Sequence, residues 1–238
     1  MDHLYFVIHT HWDREWYQPF QEMRARLVSM THRMLRLLDE DKLPCFQFDG
    51  QTIVLEDYLE VHPQDAKLIA KLVKAGKLQI GPWYTLADSF LASGEALVRN
   101  LEIGGRIASR FGPSTPIGYM PDQFGHCAQL PQIMAGFGLK AAVVFRGVPA
   151  AVNRGHFTWE ALDGTGINTI YLPFGYSNGA ALPVDSADSL IARAQKLALR
   201  EREFAAGAPI LIMNGVDHCS PEPQIYQLLG ELNGRAPF

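Results

Sequence analysis

The sequence predicts an α/β protein, a parallel (β/α) barrel of eight strands or fewer. Short apolar runs alternate along the chain with longer amphipathic stretches, the mark of βα units and a mainly parallel sheet. Polar clusters recur where the apolar runs end, as HTHWD, FDG, GPWYTLAD, MPDQFGH, FRG and NGVDH. Parallel α/β architectures bind ligands at the carboxyl ends of their strands, so this placement points to a site. No G-x-G-x-x-G follows the first strand and no Walker A motif occurs, which leaves an open nucleotide-binding sheet without direct support.

LYFVI (Leu4 to Ile8) reads as the first core strand, and the stretch from about Trp16 to Leu38 has helical spacing through Met23, Leu27, Met30, Met34 and Leu37. CFQF beside Cys45 is a short strand, with helices expected at Thr52 to Val61 and Asp65 to Ala75 before the stop at Gly76. KLQIG is a further strand. Glu95 to Phe111 is helical, and Gly112-Pro113 ends it. PIGYM around Tyr119 is a strand, Ala128 to Phe137 a short helix, and AAVVF (Ala141 to Phe145) a buried strand. Phe157 to Leu162 and Ile167 to Leu172 flank Asp163-Gly164, a hairpin signal. A helix over Asp188 to Ala205, the strand PILIM (Pro209 to Met213) and a helix over Gln224 to Leu232 complete the pattern.

The 238 residues suffice for one large domain, and 47% hydrophobic against 19% charged residues is the balance of a globular protein with a sizeable core. The net charge is -4 and the basic residues are scattered, so neither a nucleic-acid footprint nor a membrane-surface footprint is expected. No membrane-length apolar run and no secretory leader pattern are seen, and Cys45, Cys127 and Cys219 are too few and too widely spaced for a disulfide framework. A cytoplasmic protein is therefore expected.

His9, His11 and Asp13 alternate, so a strand continued through them projects all three to one side. An imidazole and a carboxylate brought together this way form half of a site for a zinc-like cation. A hydrogen-bonded strand end is the competing reading, against which stands the aromatic and charged flank of Trp12, Arg14, Glu15, Trp16 and Tyr17. Asp122, in GYMPDQFGH, is pinned by Pro121, while Gly125 permits a sharp turn. There a carboxylate can be a nucleophile, a metal ligand or both, and it lies too far upstream to cap the next helix. His126 either orients Asp122 or caps that helix.

HTHWDREW, DGQTIVLEDYLEV, GPWYTLADS, EALVRNLEIG and GYMPDQFGHCAQLPQI occur in that order. Together they resemble the N-terminal catalytic domain of glycoside hydrolase family 38, the retaining, zinc-dependent α-mannosidases that include bacterial mannosylglycerate hydrolases. The resemblance implies a seven-stranded barrel of the glycoside hydrolase and deacetylase type, spanning residues 1–238. It implies zinc held by His11, Asp13 and a nucleophilic Asp122, with Co2+ or Mn2+ as alternatives on the same donors. An α-mannoside is the implied substrate, and a homo-oligomer is considered for the full-length protein. Sugar contacts are expected from Trp12, Asp49, Trp83, Tyr84 and Arg146, with core packing an equal alternative for Trp83. Asp49 and Asp88 are also weaker candidates for the catalytic acid, with binding of sugar hydroxyls the alternative for each.

Two departures qualify this resemblance. Where LPFGYSNGAALP resembles the segment that carries the catalytic acid in eukaryotic Golgi-type members, this chain has Asn178, so the acid/base is expected instead at Asp217 in NGVDH. Family members continue into helical and β-sandwich domains and draw a fourth zinc ligand, a histidine, from beyond the position of Phe238, so a truncated catalytic domain is expected. Two other readings stay open. One is a metal-dependent polysaccharide deacetylase on a similar barrel, and the other is a barrel that binds sugar or metal without turnover.

Overall fold

The computed structural model of the chain describes residues 3–232. The first strand, β1 (Leu4–Ile8), leads into the long helix α1 (Phe20–Asp39), then β2 (Phe46–Gln47), α2 (Ile53–Leu59), a 3-10 turn (Pro63–Asp65) and α3 (Ala66–Lys74). There follow β3 (Leu78–Gln79), α4 (Gly94–Ala108), β4 (Ile117–Met120), α5 (Leu130–Gly136) and β5 (Ala141–Val144). The hairpin β6 (His156–Glu160) and β7 (Gly166–Tyr171), then α6 (Ala187–Ala205), β8 (Ile210–Asn214) and α7 (Pro223–Leu232), complete the order.

Local chemistry sets most boundaries. Helix α1 starts at Phe20 rather than near Trp16 because Pro19 holds extended backbone at the N-cap, with φ -66° and ψ 158°. That shift leaves Trp16 and Tyr17 exposed on the connection from β1. Met23, Leu27, Met30 and Met34 face the core as the spacing predicts, but Leu35 and Leu38 are buried beside them whereas Leu37 only packs against the cluster's edge. Ser93 caps α4 by accepting from the Ala96 amide at 3.2 Å, and Ser186 caps α6 by accepting from Ser189 at 3.1 Å. Asp163 closes the β6–β7 turn, its carboxylate accepting from the Thr165 amide at 3.0 Å.

Every strand pair but one is parallel. β1 pairs with β8, β2 with β3, β4 with β5 and β5 with β7, whereas β6 runs antiparallel to β7. A single parallel bridge between His9 and Gln47 links β1 to β2. The ladders among the described residues thus form sheets of two, two and four strands, without the continuous seven-stranded circuit that was expected.

Part of the reason lies at the free edge of β8. There Asn178 donates to the Leu211 carbonyl at 3.0 Å and accepts from the Met213 amide at 2.7 Å. Gly179 donates to Met213 O at 3.1 Å, so an irregular segment satisfies the edge in place of a strand. Helices α1 to α3 cover β2 and β3 with one apolar cluster, and α6 and α7 cover β8 with another. A smaller cluster of Tyr119, Val143, Leu172, Tyr176 and Met213 lies among the strands.

Candidate metal centre and cleft

At the carboxyl ends of β1, β2, β4 and β8 lies a cleft of about 540 Å3, within the size range of small-molecule sites. His11, Asp13, Asp122, Arg146 and Asp217 all line it, as do Trp12, Trp16 and Phe124. Strand β1 ends at Ile8, and the chain continues through isolated bridges, His9 to Gln47 and His11 to Asp217. The alternation read from HTHWD therefore only partly survives. His11 and Asp13 reach the cleft, but His9 is buried edge-on to the rings of Tyr119 and Tyr176 and lines a different cavity.

The geometry at His11 is specific. Its Nδ1 meets the carboxylate of Asp49 at 3.0 and 3.2 Å, which places the ring's hydrogen there. Its Nε2 is buried without a hydrogen-bond partner. From that nitrogen, Asp13 Oδ1 is 3.5 Å away and Asp122 Oδ2 is 3.9 Å away. Donor atoms around one tetrahedral ion with bonds of about 2.0–2.2 Å are spaced by roughly 3.3–3.6 Å. Asp13 lies within that spacing and Asp122 just beyond it, so the donor set and the orphaned nitrogen suit a zinc-class cation, and Asp49 is placed as an outer carboxylate would be to orient the His11 ring.

Electrostatics follow the same geometry. Burial disfavours a charged His11, but Asp49 and Asp13 outweigh it and push the imidazolium up to about 11. Burial likewise would raise Asp13, yet the His11 and His218 rings hold its carboxyl well below the usual carboxylate range. His218 accepts the Asp13 backbone N–H on Nε2 at 3.1 Å and has the Tyr17 hydroxyl at 3.0 Å from Nδ1, so both ring nitrogens are engaged.

Asp122 sits just past β4, where its Oδ1 accepts from Arg146 Nε at 2.5 Å. The Arg146 guanidinium stacks over Phe124 at 4.6 Å and Phe145 at 5.0 Å, which fixes it beside the carboxylate. Asp88 holds the turn after Asp122, accepting from the Phe124 amide at 2.7 Å. Gly125 serves space rather than a turn. A Cβ there would lie 2.2 Å from the Phe90 ring, and its φ is not in the left-handed region. His126 neither orients Asp122 directly nor caps α5; its Nε2 donates to the Arg146 carbonyl at 2.9 Å.

Across the cleft, Asp217 accepts from the Tyr176 hydroxyl at 2.9 Å. Burial, Asp122 and Asp217 together raise the Tyr176 phenol above its ordinary range, so it remains a proton-bearing donor. Asn178 is elsewhere, buried against β8 and Glu201. The segment that resembles an acid-bearing loop thus builds the scaffold here.

Several expected sugar contacts are placed differently. Asp49 is fully buried and faces His11, the Trp12 amide and Gln51 instead of the cleft. Trp83 is in the core with its Nε1 donating to the Tyr119 carbonyl at 3.1 Å, and Tyr84 packs on the α1 to α3 cluster. Trp12 is almost wholly buried and reaches the cleft wall at an edge, its ring 5.0 Å from that of His218. Sequence reasoning missed Tyr176, Gln51 and the outward-facing Phe124. The exposed aromatic flank of Asp122 was the available signal for Phe124.

A separate group, His32 on α1 with His62 and Asp65 on the connection after α2, brings three potential ligand atoms within 4.8 Å of one another. No helix among the described residues is long and apolar enough to cross a membrane.

The comparisons with known proteins agree with the fold. Residues 1–235 match the family described as "Glycosyl hydrolases family 38 N-terminal domain". The "Putative mannosylglycerate hydrolase" of Halalkalibacterium halodurans is 40% identical over 239 residues, covering 94% of this chain and 27% of the relative. An α-mannosidase structure from Enterococcus faecalis V583 superimposes with a TM-score of 0.93 at 37% identity, over 100% of this chain and 27% of that one. A 4-α-glucanotransferase from Thermococcus litoralis shares the fold alone, with a TM-score of 0.62 at 14% identity over 92% of this chain and 34% of that one. The chain thus spans about a quarter of the length of the mannosylglycerate hydrolase relative and of the Enterococcus faecalis α-mannosidase, 27% in each case. With the family match running through residues 1–235, this chain belongs to the glycosyl hydrolase family 38 N-terminal domain family.

Proposed function

We propose that this chain carries the catalytic cleft of a zinc-dependent, retaining α-mannosidase, which removes terminal α-linked mannose through a covalent glycosyl-enzyme. The observation that carries the reading is the buried, unpartnered Nε2 of His11 facing the carboxylates of Asp13 and Asp122 in an open cleft. His11, Asp13 and Asp122 would hold the ion. When bound, a zinc-class ion supplies a Lewis acid and a template for sugar hydroxyls. The strands β1 to β5, β7 and β8 are read as the seven staves of the barrel, and the free thiols of Cys45, Cys127 and Cys219 suit a cytoplasmic setting.

Chemistry in the cleft needs two carboxyl groups in different roles. Asp122 attacks the anomeric carbon through one carboxylate oxygen, forming a C–O ester bond as the bond to the aglycone oxygen breaks. Asp217 gives its proton to that leaving oxygen. In the second step the Asp217 carboxylate takes a proton from water, the water oxygen bonds to the anomeric carbon, and Asp122 departs as a carboxylate. Arg146 orients the nucleophile through Oδ1, and Tyr176 steadies Asp217 by donating to Oδ1. Trp16 and Phe124, both exposed on the cleft rim, present apolar faces for sugar rings.

Trapping with 2-fluoro-mannosyl fluoride in the presence of zinc tests this reading, with peptide mapping by mass spectrometry. A 2-fluoromannosyl ester on Asp122 is the expected result. No adduct, together with metal-dependent acetate release from an acetylated sugar, would overturn it in favour of deacetylation.

A further inference from the structure

Helix α1 and the α2–α3 connection meet at the surface through His32, His62 and Asp65, whose potential ligand atoms all lie within 4.8 Å of one another. We propose that these three residues form a second zinc-class site, separate from the cleft, that clamps α1 to the connection. Two imidazole nitrogens and one carboxylate oxygen are a zinc donor set, with the remaining positions left to water. Co2+ and Ni2+ suit the same donors, whereas Mg2+ and Ca2+ require mainly oxygen ligands.

Neighbouring groups already hold the donors in place. Tyr58 donates to Asp65 Oδ2 at 2.5 Å, orienting the carboxylate from outside as a ligand's supporting partner does. The His62 ring lies against the rings of both His32 and Tyr58, with centroids 5.3 and 5.2 Å away and interplanar angles of 27° and 28°. His32 Nδ1 lies 3.9 Å from Asp65 Oδ2 and is on the open side of α1. A cavity of about 290 Å3, lined by His32, Arg36, Asp39, Glu40 and Asp65, gives an ion access from solvent.

Existing hydrogen bonds compete with the ion: His32 Nδ1 lies 3.3 Å from the Tyr58 hydroxyl, and Gln64 Nε2 donates to His62 Nδ1 at 3.1 Å. Arg36 Nε donates to His32 Nε2 at 3.0 Å, which requires the lone pair on that nitrogen. A cation on Nδ1 moves the ring hydrogen to Nε2, so Arg36 must swing away. Its side chain is exposed and one helical turn from His32, which leaves it free to do so. The three ligands come from two elements distant in sequence, so an ion bound only by the native chain stabilises it by mass action.

Cobalt titration of the full chain, followed by visible absorbance and by metal analysis after dialysis, tests the site. Two equivalents are expected for the native chain, falling to one on His62→Gln. A chain carrying Asp13→Asn and Asp122→Asn should keep one equivalent, which isolates this site from the cleft reading. His62→Gln or Asp65→Asn in that background should weaken cobalt binding by at least about tenfold, and Arg36→Ala should tighten it. Zinc should also raise the thermal midpoint of the native chain more than that of His62→Gln. A cleft-disabled chain that binds no cobalt, or that binds it unchanged after His62→Gln and Asp65→Asn, overturns the proposal.

Discussion

The Asp49→Asn substitution isolates the partner of His11 with the smallest change in shape. Oδ2 of Asp49 accepts three N–H groups, from His11 Nδ1 at 3.0 Å, the Trp12 amide at 2.9 Å and Gln51 Nε2 at 2.9 Å. An amide oxygen in that place keeps all three. The amide nitrogen then takes the place of Oδ1, 3.2 Å from His11 Nδ1, and sets donor against donor. The ring must either keep a repelled hydrogen on Nδ1 or move it to Nε2, the nitrogen that faces Asp13 and Asp122. Loss of a hydrogen bond to a charged group costs about 1.5–3 kcal/mol. Disturbing the outer partner of a metal ligand weakens affinity about 10–100-fold, or about 1.4–2.8 kcal/mol, and the two figures agree. Competition between the protein and a chromophoric chelator for zinc, at fixed pH, measures it, with far-UV circular dichroism to confirm folding. A folded Asp49→Asn chain that binds zinc within about threefold of the native chain, about 0.7 kcal/mol, would refute the role given to the His11–Asp49 pair.

Three more perturbations test other parts of the account. In chelator, the His11 imidazole binds its proton up to about 11 in the folded chain against 6.5 ordinarily, so its stabilisation is full below 6.5 and is lost as pH rises towards 11; urea midpoints should fall across that window, and His11→Asn should flatten the fall. Asn178→Ala strips three hydrogen bonds from the β8 edge and Glu201 and should cost about 2–4 kcal/mol in chemical denaturation. Activity per folded molecule should stay unchanged, and a selective loss of turnover would return Asn178 to the site. Asp217→Asn should slow cleavage of an alkyl mannoside about 10²–10⁴-fold. It should slow a mannosyl fluoride far less, because fluoride leaves without a proton; equal losses on both substrates would remove Asp217 from the acid role.

The fold was legible because its signals are local. Runs such as AAVVF and PILIM announce buried strands, Ser93 and Ser186 mark helix starts, and Asp163-Gly164 marks the hairpin. Pro19 moved the start of α1 because a cap residue overrides the apolar spacing on either side of it. The cleft was legible in so far as polar residues follow strands, which placed His11, Asp13, Asp122 and Asp217 in its lining. What the sequence hid depends on direction in space. Asp49 follows a strand as Asp122 does, yet its backbone turns into the left-handed region, φ 49°, and its carboxylate faces inward to His11. Trp83 and Trp16 are the same residue type in similar aromatic clusters, but one packs into the core and the other lies on the rim.

The pairing of β1 with β8 has a consequence for how the cleft comes into being. Leu4 aligns with Ile210, and the bridge from His11 to Asp217 extends the same pairing to the two sides of the cleft. Some 206 residues separate such partners. A ribosome adding about 5–20 residues per second needs roughly 10–40 s to synthesise that interval. Through that time β1 lacks its partner, and contacts of such long range form slowly even in the finished chain. The helices α1 to α3 and their strands have local partners and can pack earlier. The pocket is therefore the last part of the molecule to be assembled, and a lesion in β8 is expected to leave a nascent chain with native-like helices, an exposed N-terminal strand and no cleft.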